Sequence, residues 1–111
     1  MTTGNSVFMT GVPELLILQL LSTREMYGYE LAKAVQAGSG ETLSLGEGVL
    51  YPVLHGLGVA GGLRARTRVV SGRKRVYYAL TARGRRRLDG LSRRWREVAG
   101  AINAVLEGAH A

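Results

Sequence analysis

Arginine is the side chain most able to do chemistry here, and the chemistry it offers is phosphate recognition. The chain has 15 Lys and Arg against 8 acids in 111 residues, a formal net charge of +7. Thirteen of those cations lie between Arg64 and Arg96, where Asp89 is the one acid, so that stretch alone carries +12. Residues 1–63 hold Arg24 and Lys33 against Glu14, Glu25, Glu30, Glu41 and Glu47, a balance of −3. A solvated surface is the alternative, and sorting the charge this way counts against it. Segregated positive charge attracts polyanions, and phosphate contact is the leading expectation.

Catalysis has little to work with. The chain has no cysteine, which removes disulfides, thiolate zinc sites and cysteine nucleophiles together. His55 and His110 have no carboxylate or serine at the spacing of a triad or metal site. The glycine clusters lack the Gly-Lys-Ser/Thr ending of a phosphate-binding loop. Neither an enzyme nor a cofactor is expected, and His55 falls either against DNA or on a solvated face. The most apolar run, Leu15 to Leu21, is broken by Gln19 and is far shorter than the roughly 20 residues of a membrane span. No cation precedes Arg24, whereas a signal peptide starts basic. The expectation is a soluble, cytoplasmic chain with no membrane partner.

These side chains must be held by a small framework. A hydrophobic content of 46% separates the chain from disordered basic tails, and 111 residues suffice for one domain. Residues 1–10 are small and polar and read as a flexible arm. Pro13 suits a first helical turn with Thr10 or Gly11 as cap, and that helix runs to about Ser22. Its leucines, Leu15, Leu16, Leu18, Leu20 and Leu21, surround nearly the whole circumference, which points to burial on two sides, one of them a second subunit. A second helix begins near Tyr27 and Gly28, with Tyr27, Leu31, Ala34 and Val35 on one face, and stops at Gly38. A third starts near Gly46 to Gly48, with Leu50, Val53, Leu54 and Leu57 as its stripe and Pro52 as a source of distortion.

Alternation then replaces helical spacing. Leu63, Ala65, Thr67 and Val69 face one way and Arg64, Arg66 and Arg68 the other, a half-buried strand. Ser71 and Gly72 turn the chain, and Val76, Tyr78 and Leu80 mark the returning strand of a basic hairpin. Thr81 caps a long fourth helix reaching about Gly108. Leu88, Leu91, Trp95, Val98, Ile102 and Val105 follow at intervals of 3, 4, 3, 4 and 3, a heptad seam for a partner helix or the inner face of a helix packed on its own domain. Gly90 and Gly100 each cost that helix about 1 kcal/mol relative to alanine, so packing must offset them.

The expected fold is therefore mainly α with a β-hairpin wing: a winged helix-turn-helix over residues 1–81, then a C-terminal dimerisation helix over 82–108. In that order of elements the third helix enters the major groove and the hairpin lies along the backbone. Three segments carry a more specific likeness: Tyr27-Gly28-Tyr29-Glu30-Leu31, Gly48-Val49-Leu50-Tyr51-Pro52, and Gly72 through Thr81 with Gly84. From Pro13 to Leu106 the chain resembles the PadR family of transcriptional regulators, in its small subclass with a single C-terminal helix.

The resemblance implies a homodimer joined through the last helix, binding an inverted-repeat operator as a repressor that a small molecule releases. It makes Tyr51 and Tyr27 DNA contacts, with Arg73, Lys74 and Arg75 in the wing, and Lys33 and Val49 complete the expected DNA-binding set. Tyrosine hydroxyls suit phosphates, and a hairpin tip suits backbone or minor-groove contact. Core packing is the alternative for Tyr27, Tyr77 and Tyr78, and the preferred one for Tyr78.

Two departures stand out. Val49 replaces the polar Ser or Thr usual before Leu-Tyr-Pro; it can touch a thymine methyl but cannot hydrogen-bond a base. Gly56-Leu57-Gly58 replaces Arg-Leu-Glu, removing a cation and leaving a helix end expected to fray. In ligand-binding small members a Trp at the place of Trp95 lines a dimer-interface pocket; a plain interface aromatic is the alternative. Leu91, Ser92, Val98 and Ala99, one turn away, include no acid, and Arg94 and Arg96 flank them, so a neutral or anionic planar compound fits better than a cation. The effector and dimer set is thus Leu88, Leu91, Trp95, Val98 and Ile102. Two rival functions remain: a sequence-indifferent nucleic-acid-binding protein, and a dimeric interaction or sensor protein without DNA binding.

Overall fold

The computed structural model describes residues 10–108, so the arm expected over 1–10 falls, Thr10 aside, outside the described residues. The elements are α1 (Val12–Leu21), β1 (Met26–Tyr27), α2 (Gly28–Gly38), α3 (Glu47–Val59), β2 (Leu63–Val70), β3 (Arg73–Leu80) and α4 (Ala82–Leu106). The strands form an antiparallel sheet ordered β1-β3-β2. Three helices followed by a hairpin that returns to pair with a strand ahead of α2 make a winged helix-turn-helix with one long C-terminal helix.

The core forms where α1, α2 and α3 meet, around the fully buried Ile17, Leu18, Leu31, Leu50 and Leu54. Helix α1 touches α2, α3, β3 and α4, which explains its apolar circumference within its own chain. Leu15, Leu16 and Leu20 remain only partly buried within the protomer. Glu14 ties the same helix to α4 by accepting from the Arg87 guanidinium.

Alternation was a sound guide to the hairpin but not to its burial. Leu63 alone is buried in β2, and Val69 is 68% exposed. The strands are eight residues each and outreach the core, so beyond the base no helix among the described residues covers either face. Strand β1 carries no sequence signal, because two residues are too few to show a period; its Met26 pairs with Tyr78 and its Tyr27 with Tyr77.

Helix α3 runs unbroken past Pro52 and through Gly56 and Gly58. Its end does not fray as expected. The amides of Gly61 and Gly62 donate to the carbonyls of Gly58 and Leu57 at 3.1 and 2.8 Å, a Schellman closure made possible by Gly61 at φ +84°. The glycines after α3 are therefore a helix stop.

The start of α4 locks onto that stop. Thr81 caps α4 as expected, its Oγ1 accepting from the Gly84 amide at 3.1 Å, and the same hydroxyl donates to the Gly61 carbonyl at 2.6 Å. The Thr81 amide donates to the Gly62 carbonyl at 3.1 Å, and Arg83 donates to the Ala60 carbonyl at 3.2 Å. A Cβ on Gly84 would overlap the Gly62 carbonyl and sit 2.7 Å from a Leu80 methyl. Contact at this node requires glycine.

Candidate nucleic-acid interface

Helix α3 presents a face poor in side chains. Val49 and Tyr51 are each 45% exposed, His55 is exposed beside them, and the helix contains neither Lys nor Arg. The Tyr51 ring lies across the first residue of α2: a Cβ on Gly28 would collide with its hydroxyl and lie 2.8 Å from Cζ. The Tyr-Gly of one motif and the Leu-Tyr of another thus meet in space. Between α3 and the wing, Tyr51, Leu54, His55, Gly58, Ala65 and Tyr78 line an open groove of about 540 Å³. Tyr78 packs against the core as preferred, and burial, together with nearby Tyr51, pushes its hydroxyl pKa up.

The cations lie elsewhere. The Ser71-Gly72 turn has positive φ at both positions, 53° and 78°, the type I′ geometry of two-residue hairpins. It sets Arg73 and Lys74 at the exposed tip with no hydrogen bond or ion pair to any described residue. Arg75 instead covers the Tyr27 ring at 4.5 Å, and Tyr27 meets Tyr77 edge to face at 5.4 Å. Tyr77 is buried, so core-like packing holds it as well as Tyr78. On α2, Lys33 lies 5.7 Å from the ring of Tyr29 and is exposed.

Sequence reasoning missed the acid in this region. Glu25 accepts from Arg66 at 3.0 and 2.5 Å and from Arg68 at 3.3 Å. The hydrogen bond from Arg66 holds its carboxyl below the usual carboxylate range, aided by the charges of Arg68 and Arg64. Alternation in β2 placed the arginines on one face; nothing in the sequence told which carboxylate would reach them across 41 residues.

Along α4 the expected seam divides. Leu88 is buried in the chain's own core and Leu91 packs against it, because α1 covers this part of the helix. Past that point Trp95, Ile102 and Val105 are 49%, 53% and 65% exposed. Val12, Leu15, Leu91, Arg94, Trp95 and Val98 line a groove of about 260 Å³ between α1 and α4; no acid is among the described residues that line it, and Arg94 pairs with Glu97 at 3.3 Å.

Comparison with known proteins agrees with this architecture. The profile of the transcriptional regulator PadR-like family matches residues 17–90. An uncharacterised protein from Lysinibacillus sphaericus is 32% identical over 94 residues, covering 84% of this chain and 86% of that one. A transcriptional regulator from Clostridium thermocellum superposes with a TM-score of 0.80 at 25% identity, over 86% of this chain and 93% of its own. A PadR-like transcriptional regulator from Bacillus cereus superposes at 0.76 with 31% identity, over 90% and 96%. No helix among the described residues is long and apolar enough to cross a membrane.

Proposed function

This chain belongs to the PadR-like transcriptional regulator family, whose members regulate transcription through DNA and are not enzymes, and we propose that it is a homodimeric repressor of an inverted-repeat operator, released by a small planar ligand. The observation that carries the reading is the placing of an exposed, cation-free α3 beside a wing whose tip holds two cations without a hydrogen bond or ion pair among the described residues. Val49 and Tyr51 then meet base edges and phosphate in the major groove, while Arg73 and Lys74 hold the backbone. Tyr27 and Arg75 reach the backbone as a stacked pair, and Lys33 adds charge from α2.

Dimerisation through α4 supplies the two-fold symmetry that an inverted repeat requires. Trp95, Val98 and Ile102 form that contact on the free half of the helix, with Leu91 at its edge. Leu88 serves the chain's own core and supports the interface only from beneath. The groove beside Trp95 suits a neutral planar compound, or an anionic one that displaces Glu97 from Arg94, the one charged residue among those described that line it.

A competition titration tests the reading. A labelled duplex from the DNA upstream of the chain's own coding sequence is challenged with random duplex at two salt concentrations. The regulator prefers its operator by on the order of 10³ or more. Equal affinity for both duplexes identifies a sequence-indifferent binder, and salt-independent failure to bind either identifies an interaction protein.

A further inference from the structure

The outer face of the wing carries more charge than those contacts use. The register places Arg64, Arg66, Arg68, Arg73 and Arg75 on one face of the hairpin, with Tyr27 and Tyr77 between them. Ala65 and Tyr78, on the opposite face, are the ones that border the groove to α3. The arginine face is thus turned away from the recognition helix. One carboxylate stands against it. Glu25, in the turn between α1 and β1, holds Arg66 at 3.0 and 2.5 Å and Arg68 at 3.3 Å, while the Arg68 guanidinium also lies 4.4 Å above the Tyr77 ring.

We propose that Glu25 is an internal counter-ion that withholds Arg66 and Arg68 from phosphate and so limits sequence-independent DNA binding. The inference rests on the DNA-binding reading above. Exposed ion pairs add little stability, so stability alone is a weak account of a bidentate clamp at this place. Non-specific affinity, in contrast, comes almost entirely from cations that displace counterions, each phosphate contact adding about 0.9 to the salt slope. An operator complex is oriented by α3 and the wing tip and takes Arg73, Arg75 and Tyr27 from the outer face, so it does not call on the clamped Arg66 and Arg68. A non-specific complex has no fixed orientation and gains from every free arginine it can reach. With the clamp closed, a duplex must first displace Glu25 to use this pair. The penalty therefore falls on random DNA, and Glu25 acts as a positioning residue for specificity without touching DNA.

Salt titrations of the full chain against a random duplex and against the duplex from its own upstream DNA test this. Glu25→Gln is expected to bind the random duplex roughly tenfold tighter, with a salt slope steeper by about one to two, while the preference for the upstream duplex narrows. Arg66→Gln with Arg68→Gln in the otherwise native chain is expected to leave the random-duplex slope unchanged, and in the Glu25→Gln chain to cancel the gain. A slope in Glu25→Gln equal to that of the native chain overturns the proposal. So does a fall of about two in the slope of the native chain on losing the two arginines, which stands as a test by itself should Glu25→Gln fail to fold. If the native chain binds neither duplex at low salt, the regulator reading fails and takes this one with it; if it binds and only the slopes disagree, the counter-ion role alone is wrong.

Discussion

Tyr51 and Gly28 come from separate motifs, yet each explains the other. The glycine leaves the space in which the tyrosine ring lies, and the ring is held over the start of α2 with its hydroxyl near the surface. Gly28→Ala places a methyl group where that hydroxyl sits. The obstructing atom is the free end of a half-exposed side chain, so the ring swings aside and the fold survives. We expect the melting temperature to change by no more than a few degrees while operator affinity falls roughly tenfold, the size of one lost hydrogen bond to a charged group. Parallel thermal melts and DNA titrations check this, and a large loss of stability with unchanged DNA affinity contradicts it. Glu25 is the other residue whose partners decide its role. Its lowered pKa means the carboxylate is ionised at neutral pH and its contacts with Arg66 and Arg68 are complete there. Any stability they contribute is present above the usual carboxylate range and lost as pH falls through the lowered folded value.

Among the elements, the junction of α3 with α4 does most to fix the geometry. Thr81 and Arg83 hydrogen-bond the three residues that close α3 and Gly84 packs against Gly62, so α3 and the long C-terminal helix are held against each other. Gly84→Ala forces a methyl group into the Gly62 carbonyl, which is backbone and cannot swing aside. Overpacking of this kind costs about 1–3 kcal/mol, and chemical denaturation should show a loss of that size. An unchanged unfolding midpoint would mean the node is looser than the hydrogen bonds imply. The helices and the hairpin were legible from spacing: the Leu50 to Leu57 stripe, the alternation from Leu63 to Leu80 and the Thr81 cap all stand where periodicity put them. Three things were not. The two residues of β1 are below any period, the wing's alternation gave faces without saying whether anything covers them, and the glycines after α3 looked like weakness until their positive φ and backbone bonds showed a helix stop.

At the scale of the whole molecule, charge and apolar surface are separated in a way that one protomer leaves incomplete. The molecule extends 61 Å along its longest axis, and the last part of α4 holds Ile102, Val105 and Leu106 exposed, with no covering element among the described residues. A contiguous apolar stripe of this kind supports the proposed dimer contact. The sequence placed the seam through its heptad spacing but could not separate Leu88, claimed by the chain's own core, from the residues beyond it, because period alone does not tell which neighbour covers a stripe. Likewise the cationic stretch was plain, whereas the division into free tip, stacked Arg75 and clamped Arg66 and Arg68 arises from contacts across the fold. The central claim, a two-fold dimer reading two half-sites, is tested most directly by a nuclease footprint on the upstream duplex, using the native chain and an Ile102→Asp, Val105→Asp variant. The account predicts two protected segments with centres about one helical turn, roughly 34–36 Å, or a multiple of it apart for the native chain, and loss of the paired protection together with dissociation to monomers for the variant. A single protected segment, or paired protection that survives in the monomeric variant, would contradict it.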